Sequence, residues 1–288
     1  MRRICIALLI LSGVFCKLNA QGIFISPGSY HIPVNSQQID KFTVLDTAKF
    51  VITYEVSIIN NPKDPKQIEK DIQVLQIGNK FSKSYSKLLF EGDSITDSYY
   101  KKGARTAPWF QKNIPPIEVY KNHVSRKTTV SHRVFFSKSV YLYEEDFPVK
   151  INWQITGEKK NILSYNCQKA IAIFRGRTYE AWFTHQIPVR EGPYKFDGLP
   201  GLILEISDSQ KHYEYTCIGI QQPKQPVLIK FWRWRYERIS REKLNQTIKR
   251  AYKNPSQQMK MTGIELFLTG ENENAEHVSF PYNPIELK

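Results

Sequence analysis

The sequence is poor in cysteine and methionine, with four and three residues among 288. This low cysteine content excludes a small scaffold held together by disulfides, since such scaffolds are dense in cysteine. After the first 20 residues there is no apolar run long enough to span a bilayer, which needs about 20 residues. There is also no internal repeat and no low-complexity linker. These absences indicate one continuous folded body with an ordinary apolar core.

Recognisable catalytic and metal-binding motifs are missing as well. There is no GxSxG elbow, no Gly-rich phosphate loop after a strand, and no HxH, HxxxH or HExxH spacing among the six histidines. The acidic cluster Glu144-Glu145-Asp146 fits a solvated turn better than a general acid–base pair, which would require a pocket. We therefore predict no catalytic residues, no metal site and no cofactor.

The N-terminus has the features of a secretory signal. Arg2 and Arg3 precede an apolar run over 4–15, and small residues end the segment at Ala20. The sequence thus predicts a signal peptide over 1–20 and a periplasmic or secreted mature chain. An alternative is lipidation at Cys16, but a bulky Phe precedes it where a small residue is expected, so soluble export is favoured.

The remaining chain is strongly basic. The net charge is +14, and cleavage of the signal removes only three basic residues. In a cytosolic protein this charge would suggest nucleic acid, but for an exported one we expect no nucleic acid. Acidic ligands, such as anionic lipid headgroups or acidic proteins, are the expected partners. A basic surface that only aids solubility is an equal alternative.

Aromatic residues make up 13% of the chain, which favours strands over helices. The clearest helix is predicted over 241–253, where Leu244, Ile248 and Tyr252 recur at four-residue spacing. A shorter helix is predicted over 91–103. Strands are predicted over 50–59, 72–77, 81–90, two halves of 128–143, 167–174, 177–184, 201–206, 211–221, 226–235 and 263–268. The expected fold is mainly β (α+β), with a curved antiparallel sheet or half-barrel, one or two packed helices and a single domain over 21–288.

A turn motif rich in Gly and Pro divides the strands near the middle of the chain. It reads GLPGLI and follows GPYKF at 192–196. Pro presets φ at the second position of a type II turn and Gly accepts positive φ at the third, so a type II turn is predicted over 199–202. We interpret this corner as architectural. Its residues are Gly198, Leu199, Pro200, Gly201, Leu202 and Ile203.

The motif resembles the signature of the GLPGLI family of Bacteroidetes envelope proteins. The segments NCQKA at 166–170, RGRTYEAWFT at 175–184 and IPV at 187–189 precede it in the order expected for that family. The resemblance implies a cell-envelope protein. The family carries no established activity, so the resemblance indicates compartment and origin rather than mechanism.

Two cysteines, Cys167 and Cys217, remain after the signal, and both lie in predicted strands. In an oxidising compartment such a pair favours a disulfide, with two separately buried thiols as the alternative. A metal pair is disfavoured because no further ligand lies at suitable spacing near either cysteine.

A candidate ligand face combines aromatic with charged residues. Trp232 and Trp234 alternate with basic residues, an arrangement that can bind a sugar, a lipid headgroup or an acidic peptide. A core aromatic ladder with solvated arginines is the plainer interpretation. The polar and aromatic residues near the motif complete the candidate set, which is Arg177, Trp182, Lys195, Asp197, Trp232 and Trp234.

Two classes of function remain open from the sequence. The first is a non-enzymatic envelope protein that binds a hydrophobic, peptidic or outer-membrane partner, and the absence of catalytic motifs favours it. The alternative is a secreted hydrolase whose active site is dispersed along the chain. Clustered carboxylates or a Ser–His contact would favour the hydrolase.

Overall fold

The structure, a computed structural model, describes residues 38–104, 113–134, 140–262 and 279–288. The signal peptide predicted over 1–20 and the strand predicted over 263–268 lie outside these ranges, and the division at residue 20 stays a prediction. Within the described ranges the chain forms an open, curved, many-stranded sheet with three helices. The predicted mainly β class is therefore confirmed.

The strands and helices follow in chain order. The strands are β1 (Phe42–Thr47), β2 (Phe50–Ile58), β3 (Glu69–Ile77), β4 (Phe81–Ser86), β5 (Ile117–Asn122), β6 (Lys127–Arg133), β7 (Val140–Asp146), β8 (Gln154–Ile162), β9 (Tyr165–Phe174), β10 (Arg177–Thr184), β11 (Leu202–Asp208), β12 (Tyr213–Gln221), β13 (Leu228–Trp232) and β14 (Tyr236–Arg238). The helices are α1 (Lys87–Lys101), α2 (Arg241–Lys253) and α3 (Pro255–Thr262). In these ranges, no helix is both long and apolar enough to cross a bilayer.

One large sheet organises the fold. Its strand order is β14-β7-β6-β5-β4-β3-β2-β12-β11-β10-β9-β8, and only the β14–β7 pair is parallel. β1 and β13 form a separate antiparallel ribbon. In β10, Tyr179, Ala181 and Phe183 are buried while Glu180 and Trp182 between them are partly exposed. We call the face that carries Tyr179 the inner face.

The sheet curves strongly around its inner face. Arg175, just after β9, forms an ion pair of 2.9 Å with Glu145 on β7. Nine strand intervals separate β7 from β9 in the sheet, and in a flat sheet that is about 43 Å. The two ends of the sheet must therefore approach each other, which agrees with the predicted curved sheet.

Side-chain caps decide where two helices begin. Ser240 accepts from the backbone N–H of Lys243 and starts α2, whose bounds match the prediction. Ser86 accepts from the N–H of Leu89 and starts α1. The strand predicted over 81–90 was therefore too long, because β4 stops at Ser86 and the chain becomes helical.

A second small core lies on the outer face of the sheet, where the β1–β13 ribbon packs. Trp232 is buried there and donates its indole N–H to Glu118 at 3.0 Å. Trp234 stacks on Trp232 with ring centroids 5.8 Å apart. Lys83 lies 4.4 Å from the Trp232 ring and 3.3 Å from the Glu118 carboxylate. Trp232 is thus a core residue, and Trp234 is a half-buried ring packed against it.

The predicted disulfide is absent, and both cysteines are free, buried thiols. Cys167 lies on β9 and Cys217 on β12, with β10 and β11 between them. Three strand intervals amount to about 14 Å, whereas a disulfide requires Cα atoms within about 7 Å of each other. Each thiol instead contacts a carbonyl in its own strand, that of Tyr165 or Gly219. The disulfide was predicted from cysteine number and compartment, and neither contains information on the strand order that separates the pair.

Candidate functional site

The segment between β10 and β11 folds onto the inner face of the sheet and carries the motif. Phe196 is fully buried at its centre. Its ring centroid lies 4.7 Å from that of Tyr179 and 6.0 Å from that of Phe174, and it also contacts Tyr194 and Tyr215. The motif segment is therefore the centre of the main core rather than an exposed loop.

The turn inside the motif differs from the predicted type II turn. Gly198, not Gly201, has positive φ, at 87°. The N–H of Gly201 donates to the carbonyl of Leu199 at 2.8 Å, which closes a tighter three-residue turn. Gly201 is needed for a different reason, since a Cβ there would lie 2.0 Å from the carbonyl oxygen of Thr184. Close approach of two backbones, not handedness, requires this glycine.

Two carboxylates of the motif segment share one buried lysine, and we call this group the Lys121 cluster. Lys121 Nζ lies 2.8 Å from Glu191 and 3.6 Å from Asp197. Burial lowers the pKa of Lys121, but Glu191 and Asp197 outweigh it, so the net pKa is raised. Burial likewise raises the pKa of Glu191, yet Lys121 and His123 pull it below its usual value. Lys121 and Glu191 therefore form an ionised pair.

A serine and a histidine also contact Glu191. Ser82 donates to Glu191 Oε1 at 3.0 Å, and His123 Nε2 lies 3.0 Å from the same oxygen and 3.4 Å from the Ser82 hydroxyl. In a nucleophilic triad the two ring nitrogens divide these roles, one facing the serine and the other the carboxylate. Here one ring nitrogen of His123 faces both groups. Ser82 is fully buried, and its hydroxyl donates its hydrogen bond to Glu191. The contact therefore holds the motif segment rather than activating a nucleophile.

Asp197 has an unusual environment. Among the described residues neither of its carboxylate oxygens accepts a hydrogen bond, although it is almost fully buried. The pKa of Asp197 is raised to about 7, mainly by burial. Lys121 lowers this pKa, and the negative charge of Glu191 raises it further. Since the unfolded pKa is about 3.9, the folded chain binds more protons than the unfolded chain between about pH 4 and 7. Asp197 therefore lowers stability as the pH rises through that range.

Replacing Asp197 by Asn is expected to remove this pH-dependent loss. The free energy of unfolding of the variant should be close to that of the wild type near pH 4 and exceed it by about 4 kcal/mol at pH 8. Urea unfolding at both pH values measures the difference, and the comparison cancels the titrating groups that do not interact with Asp197. A difference of equal size at both pH values would contradict the assignment.

A second buried group, the Lys195 cluster, joins the motif segment to β7 and to the C-terminal segment. Lys195 Nζ lies 2.6 Å from Glu286, 2.7 Å from Glu145 and 2.7 Å from the Tyr143 hydroxyl. Tyr194 donates its hydroxyl to the same Glu286 oxygen at 2.7 Å. Burial raises the pKa of Glu286, but Lys195 and Tyr194 lower it below its usual value overall. One lysine of the motif thus anchors the C-terminal segment.

That segment, residues 279–288, lies across the inner face without regular secondary structure, and we call it the strap. Ile285 and Glu286 are buried. At its end, the N–H of Leu287 donates to the carbonyl of Arg175 at 2.8 Å. Asn283 donates its amide N–H to the carbonyl of Ile59 at 2.6 Å. The strap therefore fills what would otherwise be an open groove in the curved sheet. We call the inner surface under the strap the groove.

Side chains of the groove bind the main chain of the strap. Three consecutive strap carbonyls, at 283, 284 and 285, each accept from a different side chain. Tyr213 donates to the first at 2.8 Å, Arg177 to the second at 2.6 Å and Tyr179 to the third at 2.8 Å. Arg177 is itself held by Asp208 at 3.1 Å. Recognition at these three positions depends on the backbone and not on which residue supplies it.

A small cavity remains beside the strap and α2. Its volume is about 60 Å³, and it has room for a few water molecules. Typical small-molecule pockets hold roughly 300–1,000 Å³. Five tyrosines line it, namely Tyr143, Tyr194, Tyr213, Tyr252 and Tyr282. The motif segment and the strap therefore leave little space for an apolar ligand on this part of the inner face.

The structure separates the candidate ligand residues predicted from the sequence. Arg177 and Lys195 both contact the strap, and Asp197 lies beside Lys121 in the same core. Trp182 lies on the outer face, with Lys160 Nζ 4.4 Å from its ring. The two tryptophans of the second core lie elsewhere on that face. The six residues thus do not form one surface.

Sequence reasoning missed most of the groove. Tyr179, Tyr213 and the strap are not among the candidate residues predicted from the sequence. The alternation of β10 and β12 does place both tyrosines on the inner face, but no local pattern marks the strap. Its Asn-Pro-Ile-Glu sequence has neither helical nor strand periodicity, so its docking depends on long-range contacts.

Comparison with known proteins gives a short family match and distant structural likenesses. A family described as "Protein of unknown function (Porph_ging)" matches residues 174–205. This is consistent with the expected Bacteroidetes envelope family, while the narrower GLPGLI assignment is not confirmed. No curated protein matches the chain.

Two solved structures of PNGF-II are similar to the chain. The structure in space group P21 has 16% identity and a TM-score of 0.48. The match covers 72% of this chain and 34% of the PNGF-II chain. The structure in space group C2 has 15% identity and a TM-score of 0.46. That match covers 72% of this chain and 33% of the PNGF-II chain. The chain thus spans about a third of the length of these structures. The matched family segment runs through the motif, from the end of β9 into β11.

Proposed function

We propose that this is an exported, non-enzymatic envelope protein whose groove binds an extended peptide of a partner protein. The observation that carries the proposal is the strap, a peptide segment already seated in the groove. Three of its carbonyls are bound by side-chain donors, so much of the recognition is independent of the bound sequence. A groove of this kind accepts any extended peptide whose side chains fit.

Of the partners expected from the sequence, a peptide fits best. The space beside the strap is small and lined by tyrosine hydroxyls and rings, which suits a polar peptide more than a lipid chain. The buried carboxylates Glu191 and Glu286 are each paired with a lysine and so serve to hold the motif segment and the strap. A secreted hydrolase with a dispersed active site stays the alternative, for which the Ser82–His123 contact is the relevant observation.

A peptide supplied from outside must compete with the tethered strap. A tethered segment has a high effective concentration, on the order of millimolar for a short flexible connection. The test therefore uses the full chain with Asn283→Ala, which removes the side-chain bonds of Asn283 to Arg177 and Ile59 but leaves every groove residue intact.

A labelled peptide with the strap sequence is expected to bind the Asn283→Ala chain at least about tenfold more tightly than the wild type, because the competing strap is weakened. Fluorescence anisotropy measures both affinities. A scrambled peptide of the same composition is the control and should bind the Asn283→Ala chain more weakly, because it keeps the main-chain carbonyls but its side chains no longer match the groove. Absence of binding to the Asn283→Ala chain, with its fold intact by circular dichroism, would contradict the proposal.

A further inference from the structure

We propose that the groove selects extended peptides with an acidic side chain at one fixed position, because the site that Glu286 fills is a desolvated basic pocket. This inference rests on the proposed peptide-binding function and adds the chemical class of the ligand. The inference concerns how the groove recognises one side chain of the peptide, whereas the function proposed above rests on recognition of the peptide main chain.

The pocket around Glu286 is built from three cations. Lys195 lies 2.6 Å from its carboxylate, Arg241 3.3 Å and Arg175 3.8 Å. Lys195 is fully buried, and the side chain of Arg241 is only 15% exposed. Apart from Glu286, the acidic partners of this group are Glu145, which contacts Lys195 and Arg175, and the exposed Glu242, which lies 3.2 Å from Arg241.

The charge balance of the pocket depends on its occupant. With Glu286 in place, three cations face three carboxylates, those of Glu286, Glu145 and Glu242. Without it, Lys195, Arg175 and Arg241 face only Glu145 and the 68% exposed Glu242, which leaves one positive charge in excess at a site largely shielded from water. Removing one partner of a buried ion pair is strongly unfavourable because the other charge stays desolvated. The groove therefore favours an occupant that returns a negative charge to this position.

The backbone contacts fix where the acidic side chain must lie in the peptide. Tyr179 binds the carbonyl of Ile285, the residue directly before Glu286. Arg177 binds the carbonyl one residue earlier, that of Pro284. A peptide held by these donors thus presents its next side chain to the basic pocket. The expected ligand carries an aliphatic residue followed by Glu or Asp, as the strap does.

The test compares two labelled peptides on the full chain with Asn283→Ala, one with the strap sequence and one carrying Glu286→Gln. The acidic peptide is expected to bind at least about tenfold more tightly, since charge-assisted hydrogen bonds are roughly twice as strong as neutral ones. Its affinity should also fall more steeply with salt than that of the Gln peptide. Equal affinities would overturn the selectivity and leave the proposed function standing. Binding of neither peptide would overturn both.

A second pair of variants locates the preference in the pocket. Arg241→Gln, made in the Asn283→Ala chain, is expected to reduce the ratio of the two affinities at least about threefold. Arg238→Gln is the matched control, because Arg238 is 75% exposed and pairs with Glu144 instead. An unchanged ratio in Arg241→Gln, with the fold intact by circular dichroism, would contradict the assignment to this pocket.

Discussion

Replacing Lys195 by Met is expected to lower the free energy of unfolding by about 3–5 kcal/mol. Lys195 is fully buried between Glu286 and Glu145 and also contacts the Tyr143 hydroxyl. Methionine fills a similar volume but leaves both carboxylates short of a cation. Urea unfolding at pH 7 measures the loss, and amide exchange should show that the strap is released first, since Glu286 loses its nearest partner.

Lys211→Met is the matched control for this experiment. Lys211 pairs with Glu214 on the surface, with side chains 61% and 39% exposed. Surface pairs contribute about 0–1 kcal/mol, so the control should unfold almost as the wild type does. The double variant Lys195→Met with Glu286→Gln should recover part of the loss, because it removes a buried carboxylate that has lost its nearest cation. Equal losses in Lys195→Met and Lys211→Met would contradict the central role of the Lys195 cluster.

Most strand positions were predicted because they depend on local alternation, although β1, β5 and β8 were not among the predicted strands. In β10 the buried residues occur at every second position, and in α2 the spacing of Leu244 and Ile248 produces one buried stripe. These patterns need no knowledge of the rest of the chain. Where a single side chain overrides the pattern, as the Ser86 cap does at the start of α1, the prediction was wrong about the boundary.

The charged clusters could not be predicted for the opposite reason. Lys195 and Asp197 stand in the motif, and both were recognised as candidates, but their partners lie far away in the sequence. Lys121 comes from β5 and Glu286 from the strap, and the curvature of the sheet brings them together. Hydropathy assigns such residues to the surface, whereas here their burial follows from pairing with opposite charge. Their role is visible only in the folded chain.

The same distinction explains the turn inside the motif. From the sequence, Gly201 was expected to have positive φ, and that expectation concerned a single residue and its neighbours. The observed constraint is the distance between Gly201 and the backbone of Thr184 at the end of β10. Local turn statistics contain no information on how closely two segments approach each other. Gly198 has the positive φ instead.

Gly201→Ala is therefore expected to destabilise the protein by about 3 kcal/mol or more. The added Cβ would lie 2.0 Å from the carbonyl oxygen and 2.7 Å from the carbonyl carbon of Thr184. Overpacking usually costs about 1–3 kcal/mol, and here the obstacle is backbone, which moves less easily than the end of a flexible side chain. The ends of β10 and β11 must separate, and Phe196 and the motif segment lose their support. Urea unfolding and thermal melting measure the loss.

Two glycine variants separate the possible causes of that loss. Gly157→Ala is the matched control, because it lies in β8 with no atom within 4 Å of the added Cβ, and it should cost nothing measurable. Gly198→Ala tests handedness alone, since its Cβ has space but its φ is positive, and a cost of about 1–2 kcal/mol is expected. The expected order of destabilisation is Gly201→Ala, then Gly198→Ala, then Gly157→Ala. If Gly201→Ala melted at the wild-type temperature and lost only peptide binding, the corner would be a recognition loop rather than the packing contact that closes the core.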